Sequence, residues 1–510
     1  MGYSHSVLCA VRLACSLVVA LVALVACSGS VAPPPREARL HLETEPPHLN
    51  PLLGGDLGVL QVALGDVYEP LFRVGDDGAL EPVLAASATR STDGREFALR
   101  LREGVSWHDG APLTMADVVF TLNLLTKGGV VSPLAADVDD LEAMLPDGEV
   151  GLTLRFRAYR PGRERSLALI PVLPEHLLRG ATDVFAHPLS RSPIGTGPFR
   201  FEAWTEGRQI RLARNPSYWG AAPAIDRVTY RIVPDRTQAL AQLRRGELDL
   251  VASATPALVA AARADPGLRL LPYPFPYYRA VRWNCRSGPL ADARVRRALT
   301  MLLDRETLRR ELFAGDARLA SGPWEPDDPA YDPTVAPWPY DPDAARALLA
   351  EAGVKNLSVR LLLPAGSASL ERIGTIWQED ARRAGVALEL VLDGDALGRA
   401  RRGDFDGFGY GWTLEREQDQ FHQFHSSQVD AGNLGACVDA ETDRLLDEIR
   451  RTPDDRARRA LEHALHRRLH ELEPLTVISI DVRQAIASAR LLHVTMGPYG
   501  VPARSLKVAR

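Results

Sequence analysis

Two histidines, His422 and His425, stand three residues apart, a spacing that places both imidazoles on one face of a helix. Such a pair can bind a metal ion when other parts of the fold supply further ligands. The alternative is a pair of polar side chains in an exposed loop, which is the commoner case. We adopt that interpretation and predict no metal site.

Motifs for catalysis are absent from the sequence. It contains no Gly-x-Ser-x-Gly, no His-Glu-x-x-His, no phosphate-binding loop and no zinc-binding cysteine pair. The 510 residues carry a formal net charge of -5, and no basic stretch offers a surface for nucleic acid. The length predicts two or three domains. We expect no catalysis, no cofactor and no nucleic-acid partner.

The N-terminus predicts export. Residues 13–26 form an uncharged apolar run, shorter than the roughly 20 residues that span a bilayer, which fits the core of a signal peptide. The run ends in Leu24-Val25-Ala26-Cys27, which looks like a bacterial lipobox with Cys27 as the acylated residue. We predict a signal peptide over residues 1–26, a tether over 27–35 and a lipid anchor in the extracytoplasmic cell envelope. An ordinary signal peptide with a chance cysteine is the alternative.

Two cysteines, Cys285 and Cys437, remain in the mature chain besides Cys27. Export places them in an oxidising compartment, where a disulfide can form and persist. Both a disulfide between them and two separate buried thiols stay open.

Residues 99–122 combine a strand, a turn and the start of a helix. Alternating apolar residues predict the strand, glycines and Asp109 predict the turn, and a Thr-x-x-Asp capping box predicts the helix start. These residues are Phe97, Leu99 and Leu101 for the strand, Gly104 and Asp109-Gly110 for the turn, and Thr114 and Asp117 for the box.

With its Trp107-His108-Asp109-Gly110 turn, this stretch closely resembles the signature of the extracytoplasmic solute-binding proteins of family 5. These are the oligopeptide-, dipeptide- and nickel-binding proteins of peptide-type ABC importers. Further strings that resemble the family follow in order along the chain. They are Leu49-Asn50-Pro51, Tyr68-Glu69-Pro70-Leu71-Phe72, Gly195-Thr196-Gly197-Pro198-Phe199, Arg214-Asn215-Pro216-Ser217-Tyr218-Trp219-Gly220 and Pro289-Leu290-Ala291-Asp292-Ala293-Arg294.

The resemblance implies an α/β fold of the periplasmic-binding-protein type II kind, with two lobes around a cleft and an extra subdomain inserted in the first lobe. We expect lobe I to comprise residues 36–66, 190–276 and 478–510, the inserted subdomain residues 67–189, and lobe II residues 277–477. A ligand that bridges the lobes would favour the closed form.

The resemblance also implies an amine-binding site. Peptide-binding members carry a Trp-x-x-Asp motif whose carboxylate pairs with the N-terminal ammonium of the ligand, and Trp412 and Glu415 stand at the matching positions. A desolvated ammonium needs such a partner. Here Glu415 replaces the family Asp and Arg416 follows it, so peptide specificity is the point at which this chain departs from the family.

Other ligand-binding candidates are less specific. Asn284 matches a family Asn after the crossing strand, with a hydrogen bond inside its loop as the alternative. Arg372 lies near the position at which dipeptide binders place an Arg for the ligand carboxylate, with an exposed helix position as the alternative. Glu45 lies in the first-lobe loop. Tyr277 and Trp324 are aromatic candidates for pocket walls, which core packing explains equally well.

Two further segments complete the expectations. Residues 315–340 are rich in proline and predict a long irregular loop. His463, His466 and His470 recur along a predicted helix over residues 454–471, and we expect them to form a solvated face.

The predicted function is capture of a peptide or peptide-like solute and its delivery to an ABC permease with a cytoplasmic ATPase, by a monomer. A ligand-sensing lipoprotein on the same scaffold, or a binder of nickel or another non-peptide solute, is the alternative.

Overall fold

The computed structural model describes residues 35–54, 57–75, 80–128, 130–286, 288–313, 315–413, 419–429, 431–497 and 501–509. The predicted signal peptide, Cys27 and Glu415 lie outside the described residues. Among the residues described, no helix has the length and apolar character of a membrane span.

Strands and helices alternate along most of the chain. The strands are β1 (Glu37–Leu42), β2 (Phe72–Val74), β3 (Leu80–Pro82), β4 (Ala85–Arg90), β5 (Glu96–Leu101), β6 (Leu141–Asp147), β7 (Gly151–Phe156), β8 (Phe199–Thr205), β9 (Gln209–Arg214), β10 (Arg227–Ile232), β11 (Leu250–Val251), β12 (Leu268–Trp283), β13 (Ser358–Pro364), β14 (Ala387–Asp393), β15 (Gly407–Thr413), β16 (Leu475–Ser488), β17 (Leu491–His493) and β18 (Lys507–Val508). The helices are α1 (Leu57–Ala63), α2 (Met115–Thr126), α3 (Arg163–Leu167), α4 (Glu175–Leu178), α5 (Arg236–Arg244), α6 (Pro256–Arg263), α7 (Ala293–Met301), α8 (Arg305–Glu311), α9 (Pro342–Glu351), α10 (Ala368–Arg383), α11 (Ala396–Arg401), α12 (Phe421–Phe424), α13 (Ala440–Ile449) and α14 (Asp455–Leu472).

A mixed sheet joins ten strands in the order β14-β13-β15-β12-β16-β11-β1-β10-β9-β8. Its two longest strands, β12 and β16, are antiparallel neighbours in the middle. A second, antiparallel sheet has the order β4-β5-β7-β6 and lies within the predicted inserted subdomain. Apolar side chains of this second sheet pack in the same core as those of β1, β8, β9 and β10.

The two long strands pass from one apolar core to another. Tyr273 of β12 and Ala485 of β16 belong to one apolar core, whereas Tyr278 and Ile480 belong to another. The strand register shifts between Pro274 and Tyr278, at the point where the pair leaves one core for the other. The predicted lobe boundaries fall inside these two strands and stay a prediction.

The sequence signals around β5 and α2 are confirmed. Phe97, Leu99 and Leu101 are buried, while the residues between them are exposed. The Thr114 amide donates to Asp117 Oδ2 at 2.8 Å, as a capping box requires. Gly110 lies in the left-handed region at φ 92°, which favours glycine in this turn.

A disulfide joins Cys285 to Cys437, with 4.9 Å between their Cα atoms. This pairing answers the question that the sequence leaves open. The bridge connects the residue after Asn284, just past the end of β12, to the loop that leads into α13. It therefore ties the crossing strand to the body of lobe II.

Candidate functional site

Charged and aromatic side chains cover β12 and β16 where the two strands pass between the cores. Arg279 of β12 pairs with Asp481 of β16. The Arg483 guanidinium lies 3.3 Å from the centre of the Phe275 ring, and Arg279 lies 5.5 Å from the centre of the Tyr277 ring. We call Phe275, Tyr277, Arg279, Asp481 and Arg483 the crossing cluster.

Tyr277 and Trp412 lie on neighbouring strands of this region. Tyr277 pairs with Thr413 in the β12–β15 ladder, and Tyr278 pairs with Trp412. The half-buried Tyr277 side chain occupies the space that a Cβ at Gly411 would need. The Trp412 ring meets the Tyr410 ring edge to face, at 6.0 Å between centres. The predicted amine-binding segment continues directly from this point, although Glu415 itself lies outside the described residues.

The chain after that segment is held firmly at Asp419 and Gln420. Asp419 is buried, forms an ion pair with Arg450 at 2.7 Å and accepts from the Phe421 amide at 3.0 Å. The Gln420 side-chain amide donates to the Pro323 carbonyl at 3.5 Å. Gln420 therefore lies against the loop of residues 315–340.

That loop packs over α14 and makes one expectation wrong: the three histidines do not form a solvated face. His466 is fully buried, with its ring 5.1 Å from that of Trp324. Its Nδ1 accepts from the Asp332 amide at 2.9 Å, and its Nε2 lies 3.1 Å from Ser321 Oγ. Burial lowers the pKa of His466 to about 4, so the ring is neutral.

The other two histidines of α14 also meet the loop. His470 stacks on Trp338 with 4.4 Å between ring centres, and His463 Nε2 lies 3.0 Å from the Pro329 carbonyl. The sequence near these histidines does not indicate that a distant loop covers this face of α14. The helical periodicity alone is therefore compatible with an exposed face.

Trp324 and its neighbour Glu325 belong to the loop that packs over α14. Trp324 is buried, and its indole N–H has no hydrogen-bond partner among the residues described. Both carboxylate oxygens of Glu325 are likewise buried and accept no hydrogen bond within the described chain. Burial, together with nearby carboxylates, raises the pKa of Glu325 to about 7. Sequence reasoning missed Glu325, which resembles an ordinary surface glutamate in an acidic, proline-rich loop.

Three predicted ligand residues have other neighbours in the structure. The Asn284 amide donates to the carbonyls of Gly403 at 3.1 Å and Phe405 at 2.8 Å. Glu45 accepts from the Trp204 indole at 2.7 Å and from the Gly207 amide at 2.9 Å. Arg372 is exposed on α10. The structure does not bring these three residues into the crossing cluster, and their ligand roles stay predictions.

His422 and His425 do not converge on one point. His422 Nδ1 lies 3.2 Å from the Gln428 side-chain oxygen, whereas His425 Nδ1 lies 2.8 Å from Ser427 Oγ. Within the part of the chain that the structure describes, no group of three or more ligating side chains could hold a metal ion.

Polar contacts link the predicted inserted subdomain to lobe II. Arg90 donates to Glu164 at 2.9 Å within the subdomain and reaches Asp455 at 3.2 Å at the start of α14. Arg458 donates to the Tyr159 hydroxyl at 2.7 Å. Beside these contacts lies a cavity of about 510 Å³, lined by Phe97 and Arg165 from the subdomain and by Asp328 and Glu462 from lobe II.

A sequence model described as bacterial extracellular solute-binding proteins, family 5 middle, matches residues 79–430, which is more than half of the chain. The chain belongs to this family.

The relatives of this family 5 protein include peptide-binding proteins. The oligopeptide-binding protein AppA of Bacillus subtilis is 26% identical over 505 residues, which cover 91% of each chain. The di/tripeptide-binding protein 2 of Pseudomonas aeruginosa is 29% identical over 427 residues, covering 77% of this chain and 80% of that protein. The solved structure of HbpA2 from Haemophilus parasuis matches with a TM-score of 0.85 at 22% identity, covering 93% of this chain and 100% of that one.

Membership confirms the predicted fold class, a mixed α/β protein with two lobes of the type II binding-protein kind. It also places this family 5 protein among extracytoplasmic solute-binding proteins, which are binding components of transport rather than enzymes.

The sequence strings that carry the family resemblance are joined to one another by hydrogen bonds. Glu69 is buried and accepts from Thr196 Oγ1 at 2.9 Å, the Tyr218 hydroxyl at 2.8 Å and the Trp219 indole at 2.9 Å, so one carboxylate joins three of the strings. His108 Nδ1 accepts from the Gly195 amide at 3.2 Å. Glu69 and His108 of the family strings therefore have structural roles, because they join the strings to one another.

Proposed function

We propose that this family 5 protein captures an oligopeptide, a dipeptide or a peptide-like solute between its lobes and delivers it to an ABC permease driven by a cytoplasmic ATPase. The observation that supports the proposal most strongly is the crossing cluster. It places charged and aromatic side chains at the point where two strands connect two separate cores. The peptide-binding names of AppA and of the di/tripeptide-binding protein 2 indicate the substrate class.

Capture would proceed by hinge closure. A solute that contacts both lobes binds the closed form more tightly than the open form and shifts the population toward it. The irregular β12–β16 register at the crossing is a suitable place for the change in backbone angles. Arg90 and Arg458 would then form their contacts across the closed cleft.

Recognition of a peptide amine would fall to Glu415, with Trp412 and Tyr277 as neighbouring walls. A main chain in extended form would add strand-like hydrogen bonds, and its side chains would lie in wet pockets. Anchoring through an acylated Cys27 would keep the protein at the membrane that carries its permease.

Mass spectrometry of the solute released from protein purified natively out of its own host tests the proposal. A peptide or peptide-like solute supports it, and release of a metal alone, or of no organic solute, overturns it. Calorimetry with trialanine tests the amine contact. We expect Glu415→Ala to lower the affinity at least tenfold, whereas Glu417→Ala, a matched loss of charge two residues away, leaves it within twofold. Equal affinity of both variants would reject the contact.

A further inference from the structure

The carboxylate oxygens of Glu325 are buried in the loop of residues 315–340. Pro323, two residues before Glu325, accepts a hydrogen bond from Gln420, which stands at the far end of the segment after β15. Asp328, three residues after it, faces Arg165 of the inserted subdomain at 3.7 Å. The stretch 323–328 therefore contacts both Gln420 and the predicted inserted subdomain.

The ion pair with Arg318 leaves this carboxylate without a hydrogen bond from any described residue. Arg318 Nη1 lies 3.6 Å from Glu325 Oε2, which is within ion-pair range but beyond hydrogen-bond distance. The Arg318 guanidinium instead makes two hydrogen bonds to Asp327, at 2.6 and 2.8 Å. Its backbone is also fixed, because Arg318 and Ile480 exchange two hydrogen bonds at 2.9 Å.

The neighbouring face of β16 makes no hydrogen bond to Glu325 among the residues described. Asp481 is close enough to disfavour the charge on Glu325, and Arg279 is already paired with Asp481. Ser479, two residues before Asp481 and so on the same face of β16, is 1% exposed, and its hydroxyl has no partner among the residues described. Two buried polar groups thus remain unsatisfied at the crossing of the strands.

Such a carboxylate is costly in the unliganded protein. A buried polar group without a hydrogen bond loses its contacts with water on folding and gains no replacement for them. An ammonium group would supply the missing donors at hydrogen-bond distance.

We propose that Glu325 binds a cationic amino group of the captured solute, either the N-terminal ammonium of a peptide or the ammonium of a basic side chain. This inference rests on the proposed function, because it assumes that a peptide-like solute enters the cleft. It gives the site a carboxylate from lobe II that the family resemblance does not indicate, in addition to the predicted Glu415.

Binding of this group is coupled to a proton. Burial, with Asp327, Asp328 and Asp481, holds the pKa of Glu325 at about 7 against the opposing effect of Arg318. An ammonium in contact lowers that pKa, so solute binding near pH 7 releases a proton. Affinity therefore rises as the pH increases through 7, up to the range in which the ligand amine loses its own proton.

Titration calorimetry at pH 7 tests the inference with trialanine, N-acetyl-trialanine and N-acetyl-Ala-Lys-Ala. Glu325→Gln is the test variant. Glu311→Gln is the matched control, because it makes the same substitution at a side chain that is 66% exposed at the end of α8. If Glu325 binds the N-terminus, Glu325→Gln weakens trialanine at least tenfold and leaves N-acetyl-trialanine within twofold. If it binds a side chain, N-acetyl-Ala-Lys-Ala is the probe that loses affinity.

Two readouts separate binding from folding. We expect Glu325→Gln to unfold at the same temperature as the wild type or higher, because the amide removes a buried charge. Repeating the wild-type titration in buffers with different ionisation enthalpies measures the released proton, which Glu325→Gln no longer releases. If the wild type binds none of the three peptides, the proposed function fails and this inference fails with it. If the wild type binds them and Glu325→Gln binds equally well, this inference alone is overturned.

Discussion

Glu69 is the residue whose replacement tests the scaffold most directly. Its carboxylate is the shared acceptor for Thr196, Tyr218 and Trp219, and it joins the predicted inserted subdomain to lobe I. Glu69→Ala leaves three donors without their acceptor. A hydrogen bond to such a group contributes roughly 1–3 kcal/mol, and water entering the vacated space restores part of that. We therefore expect the free energy of unfolding to fall by about 3–5 kcal/mol.

Glu69→Gln is the matched variant. Burial raises the pKa of Glu69, and a glutamine amide has nearly the same shape as the carboxyl group. Its oxygen can still accept from Thr196 and Trp219, while the Tyr218 hydroxyl can turn and accept from the amide nitrogen. We expect a loss of about 0.5–1.5 kcal/mol.

Urea unfolding of both variants, followed by circular dichroism and tryptophan fluorescence, measures these differences. Glu81→Ala, which removes an exposed partner of Arg73 on β3, serves as the control and is expected to change little. If the free energy of unfolding of Glu69→Ala lies within about 1 kcal/mol of the wild-type value, the hydrogen bonds of Glu69 do not stabilise the protein as argued.

Three further predictions concern contacts that span the chain. Arg90→Ala removes the contact to Asp455 and should weaken solute affinity several-fold in calorimetry. Arg73→Ala, the control, should leave the affinity unchanged. Equal affinities of the two variants would argue against a contact between the lobes. Cys285→Ser should cost about 2–5 kcal/mol in urea unfolding, and dithiothreitol should destabilise only the wild type; insensitivity of the wild type would contradict the disulfide. The pKa of His466 is lowered to about 4 from 6.5, so the unfolded chain binds this proton first as the pH falls. The stability difference between wild type and His466→Gln should therefore shrink from pH 6.5 to 4, and a constant difference would refute the buried neutral ring.

Local sequence patterns predicted the elements that depend on neighbours in the chain. The alternation at Phe97, Leu99 and Leu101 and the capping box at Thr114 and Asp117 are decided within a few residues, and both are confirmed. The two-lobed fold came from the family resemblance, because no periodicity shows that β12 and β16 run through both lobes.

Contacts between distant segments were the part that sequence could not supply. His466 looked exposed because its cover, the loop of residues 315–340, lies more than a hundred positions earlier. The sequence gives Glu325 the character of an ordinary surface glutamate. Only the fold shows that Arg318 donates its hydrogen bonds to Asp327. Arg90 and Asp455 are separated by 365 positions, and neither belongs to a motif.

Small-angle X-ray scattering of the purified protein, with and without a saturating solute identified by mass spectrometry, tests the central claim most directly. Closure of two lobes over a solute predicts a smaller radius of gyration in the saturated sample. An unchanged radius of gyration, at a solute concentration that calorimetry shows to be saturating, would contradict capture by hinge closure.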